Sequence, residues 1–218
     1  MNEHALFDIS IMLIPLIFGI TVHEYAHGFA ADKLGDKTAR MLGRLSINPI
    51  NHIDFFGTLI LPIGVAVATS GAIFFGYAKP VPISPHNFKN LRKGIIISTL
   101  AGPLSNFVMA LFWSFGLLAT PHIPHHGFST ALFAISIMGI KINTILGVLN
   151  LLPIPPLDGS KVISVLLPKS IHTHLFNHEQ YGLIILLAMS ISGILSTVID
   201  PMVKTVLGFY MNLIGLLS

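Results

Sequence analysis

The chain has no cysteine in its 218 residues. That absence rules out disulfides, thiolate metal sites and a cysteine nucleophile, so any metal must be held by His, Asp or Glu. Charge is also scarce. Asp, Glu, Lys and Arg together make up 10% of residues, against 53% apolar, and the mean hydropathy is +0.79. So little charge over so much apolar sequence excludes an ordinary soluble domain and indicates a membrane protein. Met1 to Asp8 contains no Lys or Arg, and no small-residue cleavage site follows the first apolar run, so that run is expected to be retained rather than removed as a signal peptide. The net charge of +3 and pI near 9.3 could suggest nucleic acid. The bases, however, sit in short loops between apolar stretches, which fits membrane orientation and no nucleic-acid partner. No internal repeat or low-complexity linker divides the chain. It is expected to form one membrane-embedded domain over residues 1–218, with a core at about 6–165 and accessory C-terminal helices at about 181–217.

Six stretches are apolar enough for a hydrocarbon core about 30 Å thick, which takes roughly 20 helical residues to cross. They lie at about 6–31, 55–76, 95–120, 130–152, 181–199 and 202–217. Backbone polar groups in lipid must be paired within the protein, which favours an all-α polytopic bundle. Lys33, Lys37, Arg40 and Arg44 follow the first stretch, and Lys79, Lys89, Arg92 and Lys93 precede the third. Both basic loops are expected to be cytoplasmic, and the N-terminus and the loop Pro121 to Phe128, which lack Lys and Arg, outside. The stretch 55–76 between two inner loops must then enter and return on one side. Gly57, Pro62, Gly64, Gly71 and Gly76 interrupt it, while Val65, Val67, Thr69, Ile73, Phe74 and Phe75 favour strand. A re-entrant, membrane-embedded β-hairpin with about five transmembrane helices is the expected architecture. An ordinary spanning helix followed by an outer basic loop is the alternative.

Within the first stretch stands His23-Glu24-Tyr25-Ala26-His27, an H-E-x-x-H pattern. Residues i and i+4 share a helix face, so both imidazoles can reach one metal with Glu24 beside it. A zinc hydrolase needs that arrangement: neutral imidazole ligands, and a carboxylate near the water that is to lose its proton. Two buried histidines at a helix interface would be the blander explanation. Three ionisable groups at mid-helix in a membrane need a common compensating partner, however, and a cation supplies one.

Catalytic zinc commonly has three protein ligands. Asp158 is the expected third, in Asn150-Leu-Leu-Pro-Ile-Pro-Pro-Leu-Asp-Gly159, a proline-rich break tolerated at membrane depth only where it is shielded or lines a cavity. With the hairpin, Asp158 arrives on the same side as the histidines; with a single crossing at 55–76 it would not. The outer cluster His122, His125 and His126, and the inner set His172, His174 and His178, are expected to be solvated or adventitiously metal-binding rather than catalytic. His52 and Asp54 lie just before the expected hairpin and could shape the site, but turn formation and capping explain them about as well. Lys141 is an intramembrane charge without a visible partner.

These residues resemble the site-2 protease family of intramembrane zinc metalloproteases, in particular its small bacterial members without a PDZ domain. The likeness covers about residues 10–165. It rests on His23 to His27, Gly43-Arg-Leu-Ser-Ile-Asn-Pro49 with His52-Ile-Asp54, Tyr77-Ala-Lys-Pro-Val-Pro82, Ala101-Gly-Pro-Leu-Ser-Asn106 and Pro156-Leu-Asp-Gly159, in that order. The resemblance implies one zinc per chain held by His23, His27 and Asp158, with Glu24 activating water. It implies that Asn106 binds the substrate backbone or polarises its carbonyl; an interhelical hydrogen bond is the alternative. It also implies single-span membrane proteins or signal peptides as substrates, and a cell-membrane location with the active site toward the cytoplasm. A divalent-metal transporter using the same His/Asp set, and a catalytically silent scaffold, remain alternatives at this level.

Overall fold

The computed structural model describes residues 3–60, 78–168 and 181–217. Helix α1 (Glu3–Lys33) is followed by a single turn, α2 (Thr38–Met41), and a 3-10 turn at Pro49–His52. Helix α3 (Leu91–Ala119) starts at Asn90, whose side chain accepts from Lys93 N at 3.0 Å and caps the first turn. Helix α4 (His126–Asn150) stops where Pro153, Pro155 and Pro156 cannot continue it, and α5 (Asp158–Leu166) opens beyond the prolines. Helices α6 (Gly182–Ile191) and α7 (Ile194–Leu217) complete the described chain.

Four helical stretches are long and apolar enough to cross a membrane: Ile11–Lys33, Leu91–His122, His126–Asn150 and Ile194–Gly215. The described residues therefore form a mostly helical, multi-pass bundle with four such helices. The fifth apolar stretch was expected to end near Asp200-Pro201. Instead the chain turns at Gly193, whose φ of +77° is a left-handed conformation that glycine adopts readily, and α7 runs on through Pro201. What remains before the turn, α6, has 10 residues and is only about 15 Å long.

No strand occurs among the described residues. Phe55–Ile60, expected as the start of the hairpin, forms a π-helical turn, and Asp54 Oδ1 accepts from Gly57 N at 2.7 Å to cap it. Residues 61–77, the body of the expected hairpin, lie outside the described residues, as do His172, His174 and His178.

Helices α1, α3 and α4 pack on one another, α5 lies against α3, and α7 against α4 and α3. Ala110, Trp113, Ile140 and Tyr210 join α3, α4 and α7 in an apolar core, and the Tyr210 hydroxyl donates to Phe107 O at 2.7 Å. At the end of the bundle where α1 stops and α3 starts, Lys89 N donates to Leu34 O at 3.3 Å and Lys79 N to His52 O at 3.0 Å. The two basic loops are thus laced together beside the C-terminal turn of α1.

Candidate metal centre

His23 and His27 are buried on the face of α1 turned toward α3. At 1.5 Å per residue they lie about 15 and 9 Å from the helix's C-terminal end. Asp158, also buried, is the first residue of α5, where the helix N-terminus favours a negative charge. The three side chains converge. His23 Nε2 and His27 Nε2 are 2.9 Å apart, and Asp158 Oδ2 is 3.2 Å from the first and 3.0 Å from the second. Among the described residues this is the one group of His, Asp or Glu close enough to share a metal ion.

The surroundings place a proton on the Nδ1 of both rings. His27 Nδ1 faces Ser98 O at 2.7 Å, and a carbonyl oxygen can only accept, so Nδ1 carries the proton. His23 Nδ1 faces Asn106 Oδ1 at 2.6 Å. That amide cannot be flipped, because its Nδ2 donates at 3.2 Å both to Gly19 O and to Asn143 Oδ1. In the neutral form each ring then offers its Nε2 lone pair, and both Nε2 atoms face each other and Asp158 Oδ2, a buried oxygen that receives no hydrogen bond.

Zinc fits this arrangement. Ligand bonds of about 2.0–2.1 Å in tetrahedral geometry place ligand atoms about 3.3 Å apart, close to the three separations found. One proton could relieve one of the three contacts, whereas a cation relieves all of them at once. Helix α3 closes the wall at Gly102, where a Cβ would come within 2.3 Å of His27 Nε2 and 2.7 Å of His23 Nε2. The other carboxylate oxygen, Asp158 Oδ1, receives Lys161 Nζ at 3.2 Å, which leaves Oδ2 to the imidazoles.

Glu24 is half-buried beside His23, and its Oε2 accepts from Val81 N at 2.7 Å. The structure therefore brings His23, His27 and Asp158 together, with Glu24 on the same helix. Asn106 lies on α3 against His23, where it makes the interhelical hydrogen bond expected as the alternative role. It is fully buried, both its donor hydrogens are spent on Gly19 O and Asn143 Oδ1, and its oxygen holds His23. In this structure both amide hydrogens and the amide oxygen are engaged within the bundle. Asn143, not among the residues expected at the site, completes this chain: it is fully buried and donates to Gly139 O at 2.9 Å. An asparagine inside a 25-residue apolar helix was the available signal.

His122, His125 and His126 are exposed and form no metal group. His52 is buried and donates through Nε2 to Ser46 O at 2.7 Å, in keeping with a turn role. Lys141 is exposed on α4.

Comparison with known proteins agrees with this chemistry. Residues 122–193 match the model of peptidase family M50. The chain is 36% identical over 213 residues to YwhC of Bacillus subtilis (strain 168), named as a candidate zinc metalloprotease; the match covers 94% of this chain and 92% of that one. It is 31% identical over 180 residues to Rip2 of Mycolicibacterium smegmatis, covering 83% of this chain and 66% of Rip2. Rip2 of Mycobacterium tuberculosis (strain H37Rv) is 28% identical over 181 residues, with the same coverage, and both carry the same kind of name. No solved structure is a significant match. With a zinc-compatible His-His-Asp cluster inside a multi-pass helical bundle and a relative alike over nearly its whole length, the chain belongs to peptidase family M50, the site-2 protease family of intramembrane zinc metalloproteases.

Proposed function

We propose that this protein hydrolyses peptide bonds within or near the transmembrane segments of single-span membrane proteins or signal peptides, with His23, His27 and Asp158 as zinc ligands and Glu24 as general base. The observation that carries the reading is the meeting of three lone-pair-bearing ligand atoms within 3.2 Å, inside a bundle of apolar helices. When bound, zinc polarises a carbonyl and lowers the pKa of water toward neutrality. The chain's own residues do the rest. Glu24 takes the proton of the attacking water and passes it to the leaving amine. Val81 N–H fixes one Glu24 oxygen, leaving the other for the water. Asn106, backed by Asn143, holds the His23 ring in register, and Ser98 O does so for His27.

Cytoplasmic placement of the site, in the cell membrane, is supported by the eight basic residues of the loops around the C-terminal end of α1. A re-entrant path for 55–76 is supported by the bond from Lys79 N to His52 O, which brings the chain back to where it left. A transmembrane substrate must unwind before cleavage, because helical carbonyls are hydrogen-bonded and shielded, and a hairpin edge would give the unwound strand a pairing partner. We read the whole chain as one membrane-embedded domain in which α6 and α7 are accessory.

The test is purification with metal analysis, followed by comparison of wild type and Glu24→Gln on a panel of single-span substrates. The expected result is about one zinc per chain in both proteins and a loss of cleavage in the variant of about 10²–10⁴-fold. Cleavage by Glu24→Gln at the wild-type rate would remove Glu24 as the base. A zinc-loaded wild type that cut no member of the panel would sink the substrate class.

A further inference from the structure

Glu24 is not held by its own helix. Its Oε2 accepts a hydrogen bond from Val81 N, 57 residues along the chain, in the segment Lys79-Pro80-Val81-Pro82. Neither flanking proline has an N–H, so Val81 supplies the one backbone donor of the Pro-Val-Pro run. Each proline also biases the residue before it toward extended backbone, which makes the run a stiff strap. Val81 is buried where the strap crosses α1: a Cβ on Gly28, the residue after His27, would come within 2.9 Å of Val81 Cγ1.

The other side of that peptide is also taken. Arg44 Nη2 donates to Pro80 O at 3.1 Å and to Lys79 O at 3.0 Å. Pro80 C=O and Val81 N–H belong to one planar unit, so they cannot turn independently. A guanidinium on the oxygen fixes the plane and polarises the N–H at its other end. Arg44 itself is set by the turn after α2, with Gly43 at φ +65° and Arg44 N donating to Ala39 O at 2.8 Å. A rigid path therefore runs from a cation in the first basic loop, through one peptide plane, to the carboxylate beside the metal centre.

We propose that Arg44 is a positioning residue for Glu24, acting through the Pro80–Val81 peptide. The proposal rests on the reading of Glu24 as general base. Without the clamp the strap can rotate, and a base displaced by about 1 Å loses on the order of 10²-fold in rate.

The experiment uses the full chain, zinc-loaded, in detergent, with Arg44→Met, Arg44→Lys and Val81→Pro beside wild type and Glu24→Gln. Arg44→Met is expected to lower kcat about 10- to 100-fold at unchanged KM and zinc content. Arg44→Lys should recover part of the loss, since an ammonium can still donate to both carbonyls. Val81→Pro, which removes the donor and keeps both acceptors of Arg44, should match Arg44→Met. Hydrogen exchange gives a readout independent of turnover: the Val81 amide should exchange slowly in wild type, with or without zinc, and rapidly in Arg44→Met. Wild-type kcat per bound zinc in Arg44→Met, or activity lost only in step with zinc or with Tm and not recovered by lysine, would overturn the proposal. Should Glu24→Gln remain active, the reading of Glu24 fails whatever Arg44 does; should it be inactive while Arg44→Met turns over normally, only the positioning role fails.

Discussion

Two polar networks lie within a few helical turns of each other and are built on opposite plans. In the loops at the end of α1, buried Asp36 receives hydrogen bonds from Thr38 N, Thr38 Oγ1, Ser84 N and Asn87 Nδ2, the last two at 2.7 and 3.0 Å. Buried Asp32 nearby accepts from Arg40 Nε at 2.8 Å and Nη2 at 2.7 Å and meets Lys37 Nζ at 3.2 Å. Deeper in the bundle, the Nδ1 atoms of both histidines and the Asn106 amide are paired, whereas Asp158 Oδ2, facing both Nε2 atoms, receives no hydrogen bond. A buried carboxylate with all its donors in place is scaffold. One whose partner is missing, while its neighbours are locked into the same deficiency, is a site for a cation.

The largest effect that would break this contrast comes from Asp158→Asn. About 10–16 kcal/mol of zinc binding shared over four ligands suggests an affinity loss of roughly 10²–10³-fold, read by chelator competition. The metal-free protein should keep its Tm or gain, because the asparagine amide can donate to an imidazole lone pair. A metal-free variant that melted well below wild type would show that Asp158 is held by the protein alone. Next in size is Asn106→Leu, which frees the His23 ring and should weaken zinc binding about 10- to 100-fold; Asn143→Leu should act in the same direction but less strongly. Zinc affinity unchanged in both would deny the asparagine pair its orienting role. Asp36→Ala should do the reverse of Asp158→Asn: zinc affinity stays, while Tm falls by several degrees, as expected for donors left unpaired at about 1–3 kcal/mol.

The centre was legible because a helix converts spacing into geometry. His23 and His27 must share a face, and the acidic residue in the proline-rich break after the fourth apolar stretch was the expected third ligand. Helices α1, α3 and α4 were legible as unbroken apolar runs. The C-terminal break was misplaced because Asp200-Pro201 is the louder signal. Proline's fixed φ is nevertheless helical and costs α7 one backbone bond, whereas Gly193 turns the chain. The true partners of Asn106 and Glu24 were hidden for another reason. Asn143 and the Arg44 clamp act through contacts 37 and 35 residues apart, which no local period encodes.

Acid provides the finest test of the scaffold half of the contrast. Burial alone would raise the Asp36 carboxyl, but hydrogen bonds from Thr38, Asn87 and Ser84 favour its charged form more strongly and hold it below the usual carboxylate range. A carboxyl whose folded-state pKa is depressed contributes stability that is complete above its unfolded value, near pH 4, and lost as pH falls through the lower folded value. The Tm gap between wild type and Asp36→Ala should therefore be flat from about pH 8 to pH 5 and close only below about pH 4. Thermal scans of both metal-free proteins across that range would show it. A gap that closed near neutrality instead would mean that the four donors do not outweigh burial, and that the loop network is less complete than the metal centre it borders.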